Sequence, residues 1–384
     1  TRRDVANYRY LCTDLLTNTV IAELPLTGVT YAQSLNDAGE FNGQLLLSDS
    51  RIAGTLGSGS IDLSTTPART GIYVERDGVI VYGGVIWSRT YNSTSATMTL
   101  AAREFESYFG RRRIADTTVF GPNVDQFVAV KTLIDNAQAA AYGNIQIDTS
   151  GIGTCGVNLP NVLAIYGYEK RNLLDVIQDL AKQEPPYGFD FHVDVSYGVD
   201  NVLRRAFVLS YPHKGIDYAT NQFAPMLEFP GSIVAYTYPE SGGTLVNTLY
   251  GFGAGSSDSQ YVSSQSSGAS FANGFPLLED VQSFSQIPDP RIVDNLTRAQ
   301  VAARDKPVVV MEARWVPQVD AVTGAPTAPN PTEINIGDQV RIRIKDDRFT
   351  EQVDTVLRVV KTSVRVGDDG SAELITGSFV PITY

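Results

Sequence analysis

The residues best suited to chemistry in this sequence are two histidines and a few paired carboxylates. His192 lies in an alternating apolar and polar segment at 188–195, and His213 lies in a turn-like segment at 211–215. Because such alternation is typical of a strand with one buried face, we predict structural roles for both histidines. The sequence contains no G-x-S-x-G nucleophile elbow, no P-loop and no H-E-x-x-H motif. We therefore predict that the chain is not an enzyme and has no catalytic residue.

Adjacent carboxylates occur at Asp346 and Asp347 and again at Asp368 and Asp369. Both pairs lie in turn-like sequences, where aspartate is common because its side chain bonds nearby backbone amides. General acid–base catalysis needs facing carboxylates with separated pKa values, which neighbours in a turn do not provide. No loop matches the ligand spacing of an EF-hand calcium site. The sequence therefore predicts neither a metal site nor a cofactor site.

Composition narrows the class of protein. The 384 residues include 43% hydrophobic residues, enough for a sizeable core, and carry a formal net charge of −12. Such an acidic chain does not hold nucleic acid by neutralising phosphates, although it could line a passage through which nucleic acid slides.

The cysteines and the hydropathy pattern bear on the compartment. Cys12 and Cys155 are the only cysteines and lack a C-x-x-C or metal-ligand spacing, so we expect no disulfide framework. No apolar run is long enough to span a bilayer, and residues 1–16 lack the features of a signal peptide. We therefore expect synthesis in a cytoplasm, from which the chain would leave a cell only by assembly or lysis.

Two segments near the ends of the chain have the layout of strand meanders. Residues 71–102 contain a hairpin turn at 76–78 and a predicted bulge at Gly83 and Gly84. Residues 333–384 repeat the order of strand, Asp-containing turn, β-branched strands, turn and strand. We interpret them as two copies of a divergent internal repeat. The alternative is that two unrelated meanders look alike.

The middle of the chain has mixed patterns. Residues 127–141 and 172–183 have helical periodicity, and a Pro-Pro pair follows the second segment. The alternating segment 188–195 predicts a strand that pairs with 204–211. These patterns predict an α+β region.

Several motifs, taken in order, are similar to those of the tail-hub proteins of long-tailed bacteriophages, variously called baseplate hub, tail-associated or minor tail proteins. The similar segments are a helix with the pattern Asn-Leu-Leu-Asp-x-Ile, a Gly-Phe-x-Phe strand, a Tyr-Gly-Phe-Gly strand end, a helix and an Ile-Gly-Asp-Gln-Val turn, at 172–181, 188–191, 250–253, 292–300 and 336–340. Each motif is short, and their order along most of the chain carries the resemblance.

The resemblance implies a β-rich α+β fold in which two related antiparallel tube-type β-barrels flank an α+β middle region. Residues 1–112 would form the first barrel, 113–227 the middle hub region and 228–384 the second barrel. Within the second barrel, the Ser- and Gly-rich segment 253–274 is predicted to be a long flexible loop.

The resemblance also implies a homotrimer whose barrels form a pseudo-six-fold ring that continues the tail tube at the virion's tail tip. Expected partners are a distal tail protein, a tape-measure protein and other minor tail proteins. DNA would pass through the lumen without specific binding during ejection into the host. Carboxylates in the turns and strands of the two meanders are candidates for the lining of the lumen or its rim. The alternative is that they simply face solvent. The candidates are Glu75, Asp77, Asp346, Asp347, Asp368 and Asp369.

Two other functions remain as alternatives. A carbohydrate-binding adhesin or receptor-binding module of the tail would need exposed aromatic patches. A glycan or peptidoglycan hydrolase would need a pocket with two facing carboxylates.

Overall fold

The computed structural model describes residues 2–3, 6–49, 51–52, 60–159, 162–183, 187–218, 225–256, 260–285, 287, 289–306, 308–323, 326–367 and 373–382. The strands of the first part of the chain are β1 (Arg2–Arg3), β2 (Tyr8–Asp14), β3 (Val20–Glu23), β4 (Thr27–Ser34), β5 (Glu40–Leu46), β6 (Thr70–Arg76), β7 (Val79–Asn92), β8 (Thr97–Glu104), β9 (Thr118–Phe120), β10 (Ile147–Asp148), β11 (Leu163–Ile165), β12 (Asp190–Tyr197) and β13 (Leu203–Ser210). Those of the remainder are β14 (Met226–Phe229), β15 (Ile233–Thr237), β16 (Glu240–Ser241), β17 (Thr248–Phe252), β18 (Val262–Ser266), β19 (Glu279–Ser283), β20 (Val308–Val309), β21 (Met311–Trp315), β22 (Gln318–Val319), β23 (Pro326–Ala328), β24 (Gln339–Ile344), β25 (Val353–Val366) and β26 (Glu373–Pro381).

Helices are few and mostly short. They are α1 (Ile61–Ser64), α2 (Glu106–Phe109), α3 (Gln126–Ala139), α4 (Leu173–Ala181), α5 (Gly268–Ala272) and α6 (Pro290–Arg304), with a 3₁₀ turn at Gly167–Glu169. No helix within the described ranges is long and apolar enough to cross a membrane.

A single 13-stranded sheet dominates the fold. Its main path runs β15-β21-β26-β25-β4-β5-β8-β7-β6-β2-β3, while β24 pairs with β25 and β14 pairs with β24. The neighbours are antiparallel except β14 and β24. The predicted β-rich character is therefore confirmed, and most of the antiparallel strands belong to one large sheet. The finer prediction of two related barrels stays a prediction.

The long strand β25 joins the two ends of the chain. Its first half pairs with β24, and its second half pairs with β4, where Val364 lies opposite Tyr31. A register shift between Val359 and Lys361 in the pairing with β26 separates the two halves. One apolar core runs beneath both meanders and includes Phe41 and Phe379, each fully buried. The two meanders thus share one sheet and one core.

The predicted hairpin between β6 and β7 is confirmed. Arg76 pairs with Val79, so Asp77 and Gly78 form a two-residue turn. Both have positive φ, 49° and 84°, as a type I′ turn requires, and Asp-Gly is a favoured sequence for it.

The bulge predicted at Gly83 and Gly84 is wrong. Both glycines pair regularly with β6, and the register shifts of β7 lie before and after them. The glycines serve close packing instead, because a Cβ on Gly83 would lie 2.8 Å from Val195 Cγ1 and 2.9 Å from Phe105 Cε2. A small residue is therefore needed where the middle layer meets the large sheet.

The α+β layer that packs on this side has its own core. Strands β12 and β13 form the predicted hairpin, with Asn201 in its turn at a positive φ of 62°. The predicted helices are α3 and α4, each begun by a side-chain cap. Asp125 accepts from Phe127 N–H, and Asn172 accepts from Leu174 N–H. The apolar faces of both helices pack with the hairpin and with inward residues of β6.

The predicted flexible loop at 253–274 is in part regular structure. Strand β18 pairs with β17, which also pairs with β19, and α5 follows β18. Serine hydroxyls are satisfied locally: Ser263 donates to Asp294 in α6 at 2.6 Å, and Ser266 lies 2.9 Å from Thr248. Backbone pairing in a sheet needs no apolar side chains, which is why composition alone misled. Residues 257–259 lie outside the described ranges.

Candidate functional site

The first of the predicted lumen carboxylates, Glu75, is buried. All seven residues of β6 are buried, because the strand lies between the large sheet's core and the α+β layer. Arg9 donates to the Glu75 carboxylate at 3.2 Å, and the Tyr197 hydroxyl donates to it at 2.5 Å. Glu75 therefore tethers the layers together, and its burial removes it from the candidates for an open lumen surface.

The remaining candidates lie in turns. Asp77 is exposed and accepts from the backbone N–H of Asn7 at 2.9 Å. Asp346 caps its own turn, accepting from the backbone of Arg348, and also accepts from the Tyr236 hydroxyl. Asp347 is exposed.

Asp368 and Asp369 lie outside the described residues. His213, the histidine predicted to lie in a turn, is half-buried with Nδ1 3.8 Å from Asp190 Oδ2. Asp190 is itself held by Arg358 and by the backbone N–H of Lys214. This arrangement fits the structural role predicted for His213.

A buried cluster of Glu104, Glu106 and His192 was missed by sequence reasoning. Glu104 ends β8, Glu106 begins α2, and His192 points inward from β12. Glu104 Oε1 lies 3.0 Å from His192 Nε2, and Glu106 Oε1 lies 3.7 Å from the same nitrogen. The three side chains have exposed fractions of 3%, 0% and 3%. They form a charged group enclosed between the sheet and the α+β layer.

Each member of the cluster is oriented by further hydrogen bonds. Glu104 Oε2 accepts from the backbone N–H groups of Gly39 at 2.6 Å and Ser34 at 3.2 Å. His192 Nδ1 lies 2.8 Å from Asp194 Oδ1. Lys214 Nζ donates to Asp194 Oδ2 at 2.9 Å. Glu104 Oε1 and His192 Nε2 are therefore held facing each other in fixed positions.

Burial changes the acidity of these groups. Burial raises the pKa of Glu106 to about 8, although His192 opposes the shift. Burial lowers the pKa of His192, but the Glu106 and Glu104 carboxylates and Asp194 outweigh it and bring the pKa to about 10. Both groups are therefore protonated at neutral pH when no metal ion is bound.

Two buried oxygens near this cluster have no hydrogen-bond partner among the described residues. They are Glu106 Oε2 and the hydroxyl of Tyr82. The carboxylates of Glu104 and Glu106 act electrostatically on Tyr82 and, after burial itself, raise its pKa. An unsatisfied buried polar group costs roughly 1–3 kcal/mol. The sequence signal was weak, because carboxylates two apart across a strand end match no ligand motif.

Known proteins were compared with the chain. No protein-family model matches it, and no curated protein sequence matches it. The 43 kDa tail protein of prophage MuSo2 from Shewanella oneidensis has a TM-score of 0.60 at 11% identity, with 98% of both chains covered. A tail protein from Neisseria meningitidis MC58 has a TM-score of 0.59 at 12% identity, covering 98% of this chain and 96% of that one.

A prophage tail protein, gp18, from Listeria monocytogenes EGD-e has a TM-score of 0.56 at 12% identity, covering 96% of this chain and 94% of that one. At such identities the likeness shows the fold. It includes both meanders and the α+β layer, since nearly the whole of each chain is matched. The resemblance indicated by the sequence motifs is confirmed at this level: the chain has the fold of phage tail proteins.

Proposed function

We propose that this chain is a non-enzymatic structural protein of a phage tail, and that it acts as the hub at the tail tip. The observation that carries the proposal is the likeness to three tail proteins, two of them from prophages, over at least 96% of this chain. A likeness confined to one sheet would fit many β-rich proteins. A likeness that extends through the whole order of layers favours a shared architectural role.

The ends of the large sheet support assembly into a ring. Strands β3 and β15 end the main path of the sheet, and each pairs with one neighbour among the described strands, as does β14 at the end of the side branch. Val20 on β3 and Val234 on β15 are 52% and 60% exposed. An exposed edge strand is a template for pairing with another chain, and two different edges allow a head-to-tail ring that closes. The proposed ring is a homotrimer with pseudo-six-fold symmetry.

The charge of the chain supports a lumen that DNA crosses without binding. Its net charge is −12, and Asp77 and Asp347 are exposed in turns of the two meanders. A lysine- or arginine-lined channel would hold the duplex through many phosphate contacts. An acidic lining repels it weakly, within about 8 Å at physiological salt. In this proposal a distal tail protein, a tape-measure protein and other minor tail proteins dock on the ring.

Cryo-electron microscopy of tails that contain this chain tests the proposal, with mass photometry of the purified chain beside it. We expect three copies around the tail axis. A single copy bound to the side of the tail would contradict the hub. Turnover of purified cell walls would contradict the non-enzymatic role, and tight binding on a glycan array by a side-attached chain would favour the adhesin alternative.

A further inference from the structure

Three potential metal ligands converge in the cluster of Glu104, Glu106 and His192. Their donor atoms all lie within 4.8 Å of one another. The Nε2 of His192 is 3.0 Å from Glu104 Oε1 and 3.7 Å from Glu106 Oε1. Ligands about 2.0–2.2 Å from a tetrahedral ion lie roughly 3.3–3.6 Å from one another, so these separations need only small adjustments.

A second observation points to a ligand in the same place. Glu106 Oε2 is fully buried, and no donor among the described residues reaches it. The other oxygen, Oε1, accepts from the backbone N–H of Val193, which holds the carboxylate in place. The buried hydroxyl of Tyr82 is likewise without a partner in the described structure. A bound cation would satisfy the carboxylate oxygen, whose burial is otherwise uncompensated.

Hydrogen bonds from surrounding residues also orient the ligand atoms. When Nε2 gives up its proton to bind an ion, the 2.8 Å contact of His192 Nδ1 with Asp194 Oδ1 keeps the remaining imidazole proton on Nδ1, and the Nε2 lone pair points toward the carboxylates. The backbone N–H groups of Gly39 and Ser34 hold Glu104 Oε2 and leave Oε1 directed at His192. This is the pattern in which outer hydrogen bonds fix metal ligands.

The donor set selects the kind of ion. Metal binding releases the protons of Glu106 and His192, and the resulting two carboxylates and neutral imidazole carry a charge of two minus, which one divalent cation balances. Calcium takes six to eight oxygen ligands, and magnesium keeps several waters, which this enclosed group does not offer. One nitrogen and two oxygens in a compact arrangement suit a borderline divalent transition metal.

We propose that Glu104, Glu106 and His192 bind one divalent transition-metal ion, of which Zn²⁺ is the probe, as a structural site in which both oxygens of Glu106 contact the ion and complete its four ligand atoms. The ion links the end of β8 and the start of α2 to strand β12. It therefore fastens the large sheet to the α+β layer. A cleft lined by His192, Asp194 and Lys214 borders the site and offers an access route.

Elemental analysis of the purified full-length chain tests this site. The metal is removed with a chelator, and Zn²⁺ is returned while binding is followed by calorimetry and stability by thermal unfolding. We expect about one ion per chain and a higher Tm with Zn²⁺ than without it, because an ion that binds the folded state stabilises it. No binding at micromolar Zn²⁺, or binding without a Tm change, would overturn the site.

A matched pair of variants locates the ion. Glu106→Gln keeps the size of the side chain, removes one ligand charge, and should weaken Zn²⁺ binding at least tenfold. Glu75→Gln changes another buried glutamate that lies outside the cluster and should bind as the unaltered chain does. Equal affinities for the two variants would contradict the assignment. If Glu106→Gln does not fold, the stoichiometry and Tm shift of the unaltered chain decide the matter.

Discussion

Arg76 and Glu373 form a buried two-pronged ion pair, although they are 297 positions apart in the sequence. Arg76 Nε and Nη2 donate to the two Glu373 oxygens at 2.7 and 3.1 Å, and the Tyr8 hydroxyl donates to the same carboxylate. Five strands separate β6 from β26 in the sheet order. Strands are about 4.8 Å apart, so a flat sheet would place these two roughly 29 Å from each other. The large sheet must therefore curl until its distant strands meet.

Breaking this ion pair from one side should destabilise the fold strongly. Glu373→Ala removes the two-pronged partner of the buried Arg76 guanidinium and leaves it the half-exposed Asp77 carboxylate at 3.3 Å, and we expect a loss of about 3–5 kcal/mol in the free energy of unfolding. Chemical denaturation measures this loss. Glu240→Ala, which removes a carboxylate that accepts from Arg348, is the control and should change little, because both side chains are exposed and exposed pairs contribute little. Equal midpoints for the two variants would show that the buried pair is not required.

Charge on the terminal strands of the sheet should block the proposed ring. Val20→Lys and Val234→Lys place a solvated ammonium at exposed positions of β3 and β15, where another chain would have to pack. We expect monomers by mass photometry, with circular dichroism and Tm close to those of the unaltered chain. Val199→Lys, at an exposed turn position, should assemble normally. Trimers from both edge variants would exclude these edges as the contact.

Gly83 should tolerate no side chain. An added Cβ would meet Val195 and Phe105 at 2.8 and 2.9 Å, closer than van der Waals contact allows. We expect Gly83→Ala to cost about 1–3 kcal/mol of unfolding free energy through overpacking, measured by urea denaturation. Gly121→Ala is matched in chemistry but meets no atom within 4 Å, and it should be nearly neutral. A neutral Gly83→Ala would mean that the layers separate easily.

The two cysteines should differ in reactivity. Cys12 is fully buried, and burial raises the pKa of its thiol to about 12, whereas Cys155 is partly exposed. Because the thiolate is the reactive form, a disulfide reagent at pH 8 should label Cys155 alone in the folded chain and both thiols in denaturant. A pH of 9 is still far below the pKa of the Cys12 thiol, so raising the pH to 9 should not change this result. Labelling of the folded Cys155→Ser variant would contradict the burial of Cys12.

Local patterns in the sequence determined the elements whose interactions are themselves local. The helical periodicity of 172–183 predicts α4 because residues three and four apart share a helix face, and the Pro-Pro pair after the segment predicts where the helix ends. Asp77-Gly78 predicts the β6–β7 hairpin because few residues accept positive φ in a two-residue turn. The short motifs in order also indicated the phage tail fold. Composition was a poorer guide, since the Ser-rich segment pairs through its backbone as β18.

Tertiary structure alone decided which distant residues meet. The pairing of β25 with β4, the contact of Arg76 with Glu373 and the approach of His192 to Glu104 across 88 positions leave no periodic trace in the sequence. Each depends on how the sheet curls and which face of β6 the α+β layer covers. Two carboxylates that are two positions apart can therefore have different environments. Asp77 in the turn is exposed, whereas Glu75 in β6 is enclosed by the α+β layer.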